Sequence, residues 1–118
     1  MSHVFWTFRV AIKDGQVGKL TDLIREMSDA SQANEPGTLI YQWVISDDGK
    51  SAEVHERYAG SDAALRHLAS FNGNFADRLM TLVEPAGMTV HGSPSAALKK
   101  QLEGASPVYM DVVGGFAR

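Results

Sequence analysis

The chain predicts an α+β fold in which one antiparallel sheet carries helices on a single face. Three observations lead there. The elements read in the order strand, helix, strand, strand, helix, strand, the split βαβ arrangement. Two alternating stretches, Leu39 to Ile45 and Ala52 to Tyr58, flank an Asp48-Gly49 dipeptide suited to a hairpin turn. The segments on either side of that hairpin carry apolar residues at helical spacing.

At 118 residues, 44% of them hydrophobic and 21% charged, the sequence predicts one globular domain over residues 1–118. A net charge of -3 without a basic patch offers nucleic acid no general attraction. The absence of cysteine excludes a disulfide framework, a thiol nucleophile and thiolate metal sites. The first residues lack the pattern of a secretory signal, and no apolar run reaches membrane-spanning length, so the expectation is a cytoplasmic protein without membrane contact.

Val4 to Lys13 reads as the first strand, with Trp6, Phe8, Val10 and Ile12 on one side and Phe5, Thr7, Arg9 and Lys13 on the other. Asp14-Gly15 ends it. From Gln16 to about Asn34, Val17, Leu20, Leu23, Ile24, Met27, Ala30 and Ala33 form one helical stripe, and Glu35-Pro36-Gly37 stops the helix. After the hairpin, Gly60-Ser61-Asp62 predicts a turn and cap for a helix over Ala63 to Phe71, whose stripe is Ala64, His67, Leu68 and Phe71. Asn72-Gly73-Asn74 predicts an interruption, and Phe75 to Val83 a further helical piece that packs Phe75, Leu79, Met80, Leu82 and Val83 inward. A strand over Met88 to Gly92, a short helix over Ala96 to Leu102 and a last strand over Val108 to Val113 complete the chain before Gly114-Gly115.

Closing the hairpin on a two-residue Asp48-Gly49 turn fixes its register. Asp47 pairs with Lys50, Ile45 with Ala52, Trp43 with Val54, Tyr41 with Glu56 and Leu39 with Tyr58. That face is apolar except for one carboxylate. An ionised carboxylate is costly to bury without partners, so Glu56 is either satisfied by a neighbour such as Tyr41 or a helix residue, or it is chemically useful. The opposite face mixes Phe5, Ile40 and Val44 with Arg9, Gln42, Glu53, His55 and Arg57, too apolar for water and too polar for a monomer core. Two such sheets packed face to face resolve the conflict. The expectation is a symmetric homodimer, with the terminal strand free to cross to the partner's sheet.

Glu56 and His67 are the candidate catalytic residues, since the helix stripe leans the His67 imidazole over the face that holds Glu56. Trp6, Tyr41, Trp43, Tyr58 and Phe71 are candidates to line a pocket for a flat aromatic or quinone-like ligand. His55 belongs to the polar sheet face, His91 to the border of cavity or interface, and His3 to the terminus. No helical His pair or Glu-x-x-His set is present, and His55 and Glu56, adjacent on a strand, point to opposite faces, so no metal is expected. There is no Gly-x-Ser-x-Gly elbow for serine hydrolysis.

The segments Glu35-Pro36-Gly37-Thr38-Leu39 with Tyr41 and Trp43, His55-Glu56-Arg57-Tyr58, Ser61-Asp62-Ala63-Ala64 with His67, and the Gly-Phe-x-Arg ending resemble the antibiotic biosynthesis monooxygenase family. The resemblance implies a ferredoxin-like protomer assembled into a dimeric α/β barrel, with a cavity between sheet and helices. It also implies oxygenation of an aromatic quinol- or polyketide-like small molecule with no metal or flavin cofactor, the substrate anion itself passing an electron to oxygen. In that chemistry Glu56 or His67 serves as base, and Tyr41, Trp43 and Tyr58 orient the ring. The alternative is a non-catalytic ligand-binding dimer of the same fold. The haem-degrading branch of the superfamily is a lesser match: it resembles this chain at His67, but Phe8 stands where that branch has an Asn, and Tyr58 where it has a Trp.

Overall fold

The computed structural model describes residues 3–118. Strand β1 is Val4–Ile12, helix α1 Val17–Asn34, strands β2 and β3 Thr38–Ile45 and Ser51–Tyr58, and helices α2 and α3 Ser61–Asn74 and Ala76–Leu82. Strand β4 is Val83–Gly92, helix α4 Ala96–Leu102 with a 3-10 turn at Glu103–Ala105, and strand β5 Val108–Met110. The sheet order is β2-β3-β1-β4-β5, antiparallel except for the parallel β4–β5 pair. This is the expected split βαβ sheet with one strand added. None of the described helices is long and apolar enough to cross a membrane.

Alternation decides which face is buried. Val4, Trp6, Val10 and Ile12 of β1 and Ala52, Val54, Glu56 and Tyr58 of β3 point under the helices. Helix α1 meets them with Leu20, Leu23 and Met27, three or four residues apart and so on one side of the helix. Leu79, Leu82 and Val83 join this cluster. A second cluster gathers Trp6, Tyr58, Ala64, Met88, Leu98 and Leu102, so α2 and α4 cover the other half of the sheet. Ser95 caps α4, its hydroxyl accepting from the Leu98 N–H at 3.1 Å.

The hairpin keeps the expected register from Ile45–Ala52 to Tyr41–Glu56, but its turn differs. The Gly49 N–H donates to the Ser46 carbonyl at 2.9 Å, and Ser46 pairs with Ser51, giving a four-residue loop over Asp47–Lys50. Only Gly49 has a positive φ, whereas a two-residue type I′ turn needs one at Asp48 as well. Asp48 instead accepts from the Ser46 hydroxyl and the Lys50 N–H. Both turns leave the same pairing, and the site is therefore unaffected.

At the far end a β-bulge between Thr38 and Ile40 sets Thr38, not Leu39, opposite Tyr58. The extra residue turns Leu39 out of the inner face to 47% exposure. The helix expected to stop at Phe71 runs through Asn72-Gly73-Asn74 to the break at Phe75, where the Phe75 N–H donates to the Phe71 carbonyl and the Asn74 side-chain amide donates to the Ser70 carbonyl. Strand β4 begins at Val83 and tolerates Pro85 at a second bulge, where Ala86 is the unpaired residue opposite Arg9 and Val10. Met80 is exposed rather than packed inward. The terminal strand is shorter than expected and pairs with β4 of its own sheet through Thr89–Val108, Val90–Tyr109 and His91–Met110.

Leu20 is fully buried at the centre of the first cluster. Leu20→Ala is expected to destabilise the fold by about 2–5 kcal/mol, read as a lower denaturation midpoint with an unchanged slope.

Candidate active site

Glu56 is 7% exposed, and it has no free choice of conformation. The Trp6 indole N–H donates to Oε2 at 2.7 Å. The Tyr58 hydroxyl donates to Oε1, and His67 Nε2 lies 3.2 Å from the same oxygen. Strand pairing explains the first contact, since Trp6 is directly opposite Glu56 on β1. Tyr58 is two residues on along β3 and shares its face. Helix α2 supplies His67 from its buried side.

The imidazole is held from its other edge as well. His67 Nδ1 lies 2.7 Å from Glu35 Oε1, which also accepts from the Thr38 hydroxyl at 2.9 Å. Burial opposes a charge on His67, but the hydrogen bonds and charges of Glu56 and Glu35 outweigh it and raise its pKa above the ordinary value. With a carboxylate oxygen at each nitrogen, the ring donates in both directions only as an imidazolium. Burial and then the Glu56 charge raise the pKa values of Tyr58 and Tyr41, so both phenols stay neutral.

Glu56 and His67 form the inner wall of a cavity of about 340 Å³ between the sheet and the helices. Trp6, Tyr41, Trp43 and Phe71 line it as expected, with Phe8, Leu79 and Met88 adding apolar surface and Met80 at its wall. The Phe71 ring stacks toward His67 at 6.4 Å, and the Tyr41 ring lies 5.2 Å from the imidazole.

Two assignments change. Tyr58, expected as a pocket residue, is fully buried behind Glu56 and is not part of the cavity wall. Tyr41 pairs with Glu56 across the strands but directs its hydroxyl at Met27 Sδ, 3.8 Å away, so Trp6, Tyr58 and His67 satisfy the carboxylate instead. His91 stacks on Phe5 at 4.8 Å on the outer face of the sheet, away from the cavity, and His3 Nδ1 meets Arg57 at 3.2 Å.

In the sequence Glu35 stands in a helix stop and in a segment that carries the family resemblance, with no role of its own. One signal did mark it: an acid at the C-terminal end of α1 faces the negative end of the helix dipole, so a separate partner must compensate. Glu35 and Glu56 lie on opposite edges of the imidazole and do not converge on a point, and no cluster fit to hold a metal ion occurs among the described residues. Nor does His67 keep a free nitrogen lone pair for a haem iron.

No protein-family model matches the sequence, and no curated protein does either. Solved structures do. MupZ from Pseudomonas fluorescens superposes with a TM-score of 0.87 at 18% identity, covering 100% of this chain and 96% of its own. SnoaB from Streptomyces nogalater, a cofactor-independent oxygenase, matches with a TM-score of 0.66 at 18% identity over 81% of this chain and 97% of its own. A protein from Caulobacter crescentus proposed to be an antibiotic biosynthesis monooxygenase gives 0.64 at 19% identity, over 80% and 91%. The fold is that of the antibiotic biosynthesis monooxygenases. The likeness to MupZ takes in the whole chain, α4 and β5 included, whereas the other two cover about four fifths of it.

The raised pKa of His67 makes part of the stability pH-dependent. A group raised on folding contributes fully below its unfolded pKa, about 6.5, and loses that contribution as pH rises through the folded value. The stability advantage of the native protein over His67→Gln is therefore expected to be largest near pH 6 and to shrink in alkali, measured by denaturant titration across that range.

Proposed function

We propose that the protein is a cofactor-independent monooxygenase acting on a hydroxylated, polycyclic aromatic molecule, with Glu56 as the proton acceptor. The observation that carries this is a buried carboxylate at the wall of an aromatic cavity with one acceptor position left. A carboxylate offers about four lone-pair sites. Tyr58 and His67 occupy Oε1 and Trp6 takes one site on Oε2, which leaves the second site on Oε2 for a substrate proton.

Removal by Glu56 of an acidic proton from the ring CH₂ of a hydroxyanthrone leaves an electron-rich substrate anion. The anion passes one electron to dioxygen, and the radical and superoxide combine into a carbon–oxygen bond. The peroxide takes the proton back from Glu56, and loss of water converts the original CH₂ carbon into a carbonyl. The sum is CH₂ plus O₂ giving C=O plus H₂O, with the substrate as sole reductant. His67 is the positive neighbour of Glu56, and its ring has no free nitrogen to act as base. Trp6, Tyr41, Trp43 and Phe71 provide flat surfaces against which an aromatic substrate stacks. SnoaB, with the same fold, is a cofactor-independent oxygenase, which supports the reading without deciding it.

Oxygen uptake with a panel of hydroxyanthrones tests the assignment. Glu56→Gln is expected to lower the rate by about 10²–10⁴-fold, the range for loss of a general base. A rate unaffected by that change removes Glu56 from the chemistry. Non-catalytic ligand binding is the second reading, favoured by the three partners that Glu56 already has in the protein alone. Tight binding of a panel member without oxygen consumption decides for it.

We also propose that the outer sheet face packs against a second copy. Ile40 and Val44 stand 40% and 50% exposed there, beside the Phe5–His91 stack and the Arg57 guanidinium 4.1 Å above the Phe5 ring. Light scattering is expected to give the mass of two chains, and Val44→Asp to halve it. A single-chain mass for the native protein rejects this assembly.

A further inference from the structure

The turn that ends α1 does more than stop a helix. Glu35 is its C-cap, the Gly37 carbonyl accepts from the Ala59 N–H at 2.9 Å, and Thr38 returns a hydroxyl to Glu35 Oε1. Gly37 is also where α2 comes closest: a Cβ at this position would lie 2.6 Å from the Ala63 Cβ. His67 follows Ala63 by four residues, one turn along the same side of α2. The close approach at Gly37 and Ala63 thus seats α2 where the imidazole meets Glu35.

We propose that Glu35-Pro36-Gly37-Thr38 is a clasp for His67, and that Glu35 is a positioning residue which keeps the imidazole doubly protonated and directed at Glu56. The inference rests on Glu56 as proton acceptor for its functional meaning, but its geometry does not. Without Glu35, the ring has one carboxylate neighbour and loses its second proton to solvent at a lower pH, which removes the positive charge from beside Glu56. With Glu35, each nitrogen keeps its proton and one N–H stays directed at Glu56 Oε1. Thr38 fixes the Glu35 oxygen that His67 uses, so the holding carboxylate is itself held. Among the described residues, the titratable groups that face the imidazole are Glu56 and Tyr58 from β3, Tyr41 from β2 and Glu35 from the end of α1. Both phenols are neutral, so the two carboxylates hold the charge on the ring against the cost of burial.

Titration of the His67 ring nitrogens by ¹⁵N NMR tests the clasp without any substrate, so its outcome is separate from that of the oxygen-uptake experiment. In the native protein both nitrogens are expected to keep imidazolium shifts above the pH at which an ordinary histidine is half titrated. Glu35→Gln, which keeps an acceptor and removes the charge, is expected to lower the midpoint by on the order of one pH unit. Thr38→Val is expected to lower it by less, and Gly37→Ala, which forces α2 away, to abolish the dependence on Glu35. Thr38→Val, which adds no atom against α2, keeps the test valid should Glu35→Gln fold poorly. A midpoint that Thr38→Val leaves at the native value, and Glu35→Gln too where it folds, overturns the proposal.

Discussion

The structure depends on satisfying one carboxylate inside an apolar layer. Burying such a charge costs several kcal/mol even after relaxation. Hydrogen bonds to a charged group return about 1.5–3 kcal/mol each. Three of them, from Trp6, Tyr58 and His67, are of the size needed to offset the burial of Glu56. The three donors come from β1, β3 and α2, so the sheet register and the helix docking must both be right for the charge to be tolerated. The site is in this sense a constraint on the fold as well as a product of it.

The same requirement separates roles among residues that look alike in the chain. Tyr41 and Tyr58 are both inward phenols near Glu56, yet only Tyr58 donates to it, while Tyr41 faces the cavity and Met27. The phenol two residues along the same strand donates to the carboxylate, and the cross-strand phenol is directed at Met27 instead. His67 likewise differs from the other described histidines because carboxylates occupy both of its nitrogens; His91 stacks on an aromatic ring and His55 faces water. Function follows from these partners, since the residue types alone are shared with ordinary core and surface positions.

The cavity reflects the same division. Two packed clusters hold the two halves of the sheet under α1 with α3 and under α2 with α4, and the empty volume is lined by members of both. Aromatic rings from strands and helix make its walls stiff, which suits a flat ligand held at one polar point. Met80, Asn72 and Gln101 bring flexible or polar side chains to the same wall, in contrast to the aromatic surface near Glu56.

What the sequence determined by itself was periodic or local. Alternation in β1, β2 and β3 gave the inner face, helical spacing gave α1 and α2, and the Asp48-Gly49 turn gave the pairing that puts Glu56 inward beside a cross-strand Tyr41. What only the tertiary structure decided was long-range. The Trp6–Glu56 bond spans fifty residues across strands with no hairpin to fix their register, and Glu35 reaches His67 thirty-two residues away through a close approach of backbone to helix. Bulges at Thr38 and at Ala86, which moved Leu39 outward and admitted Pro85 to a strand, leave no periodic trace either. Local pattern reports which way a side chain points, because that is set by backbone geometry within a few residues. Which partner it meets is set by packing between elements, and packing has no one-dimensional signature.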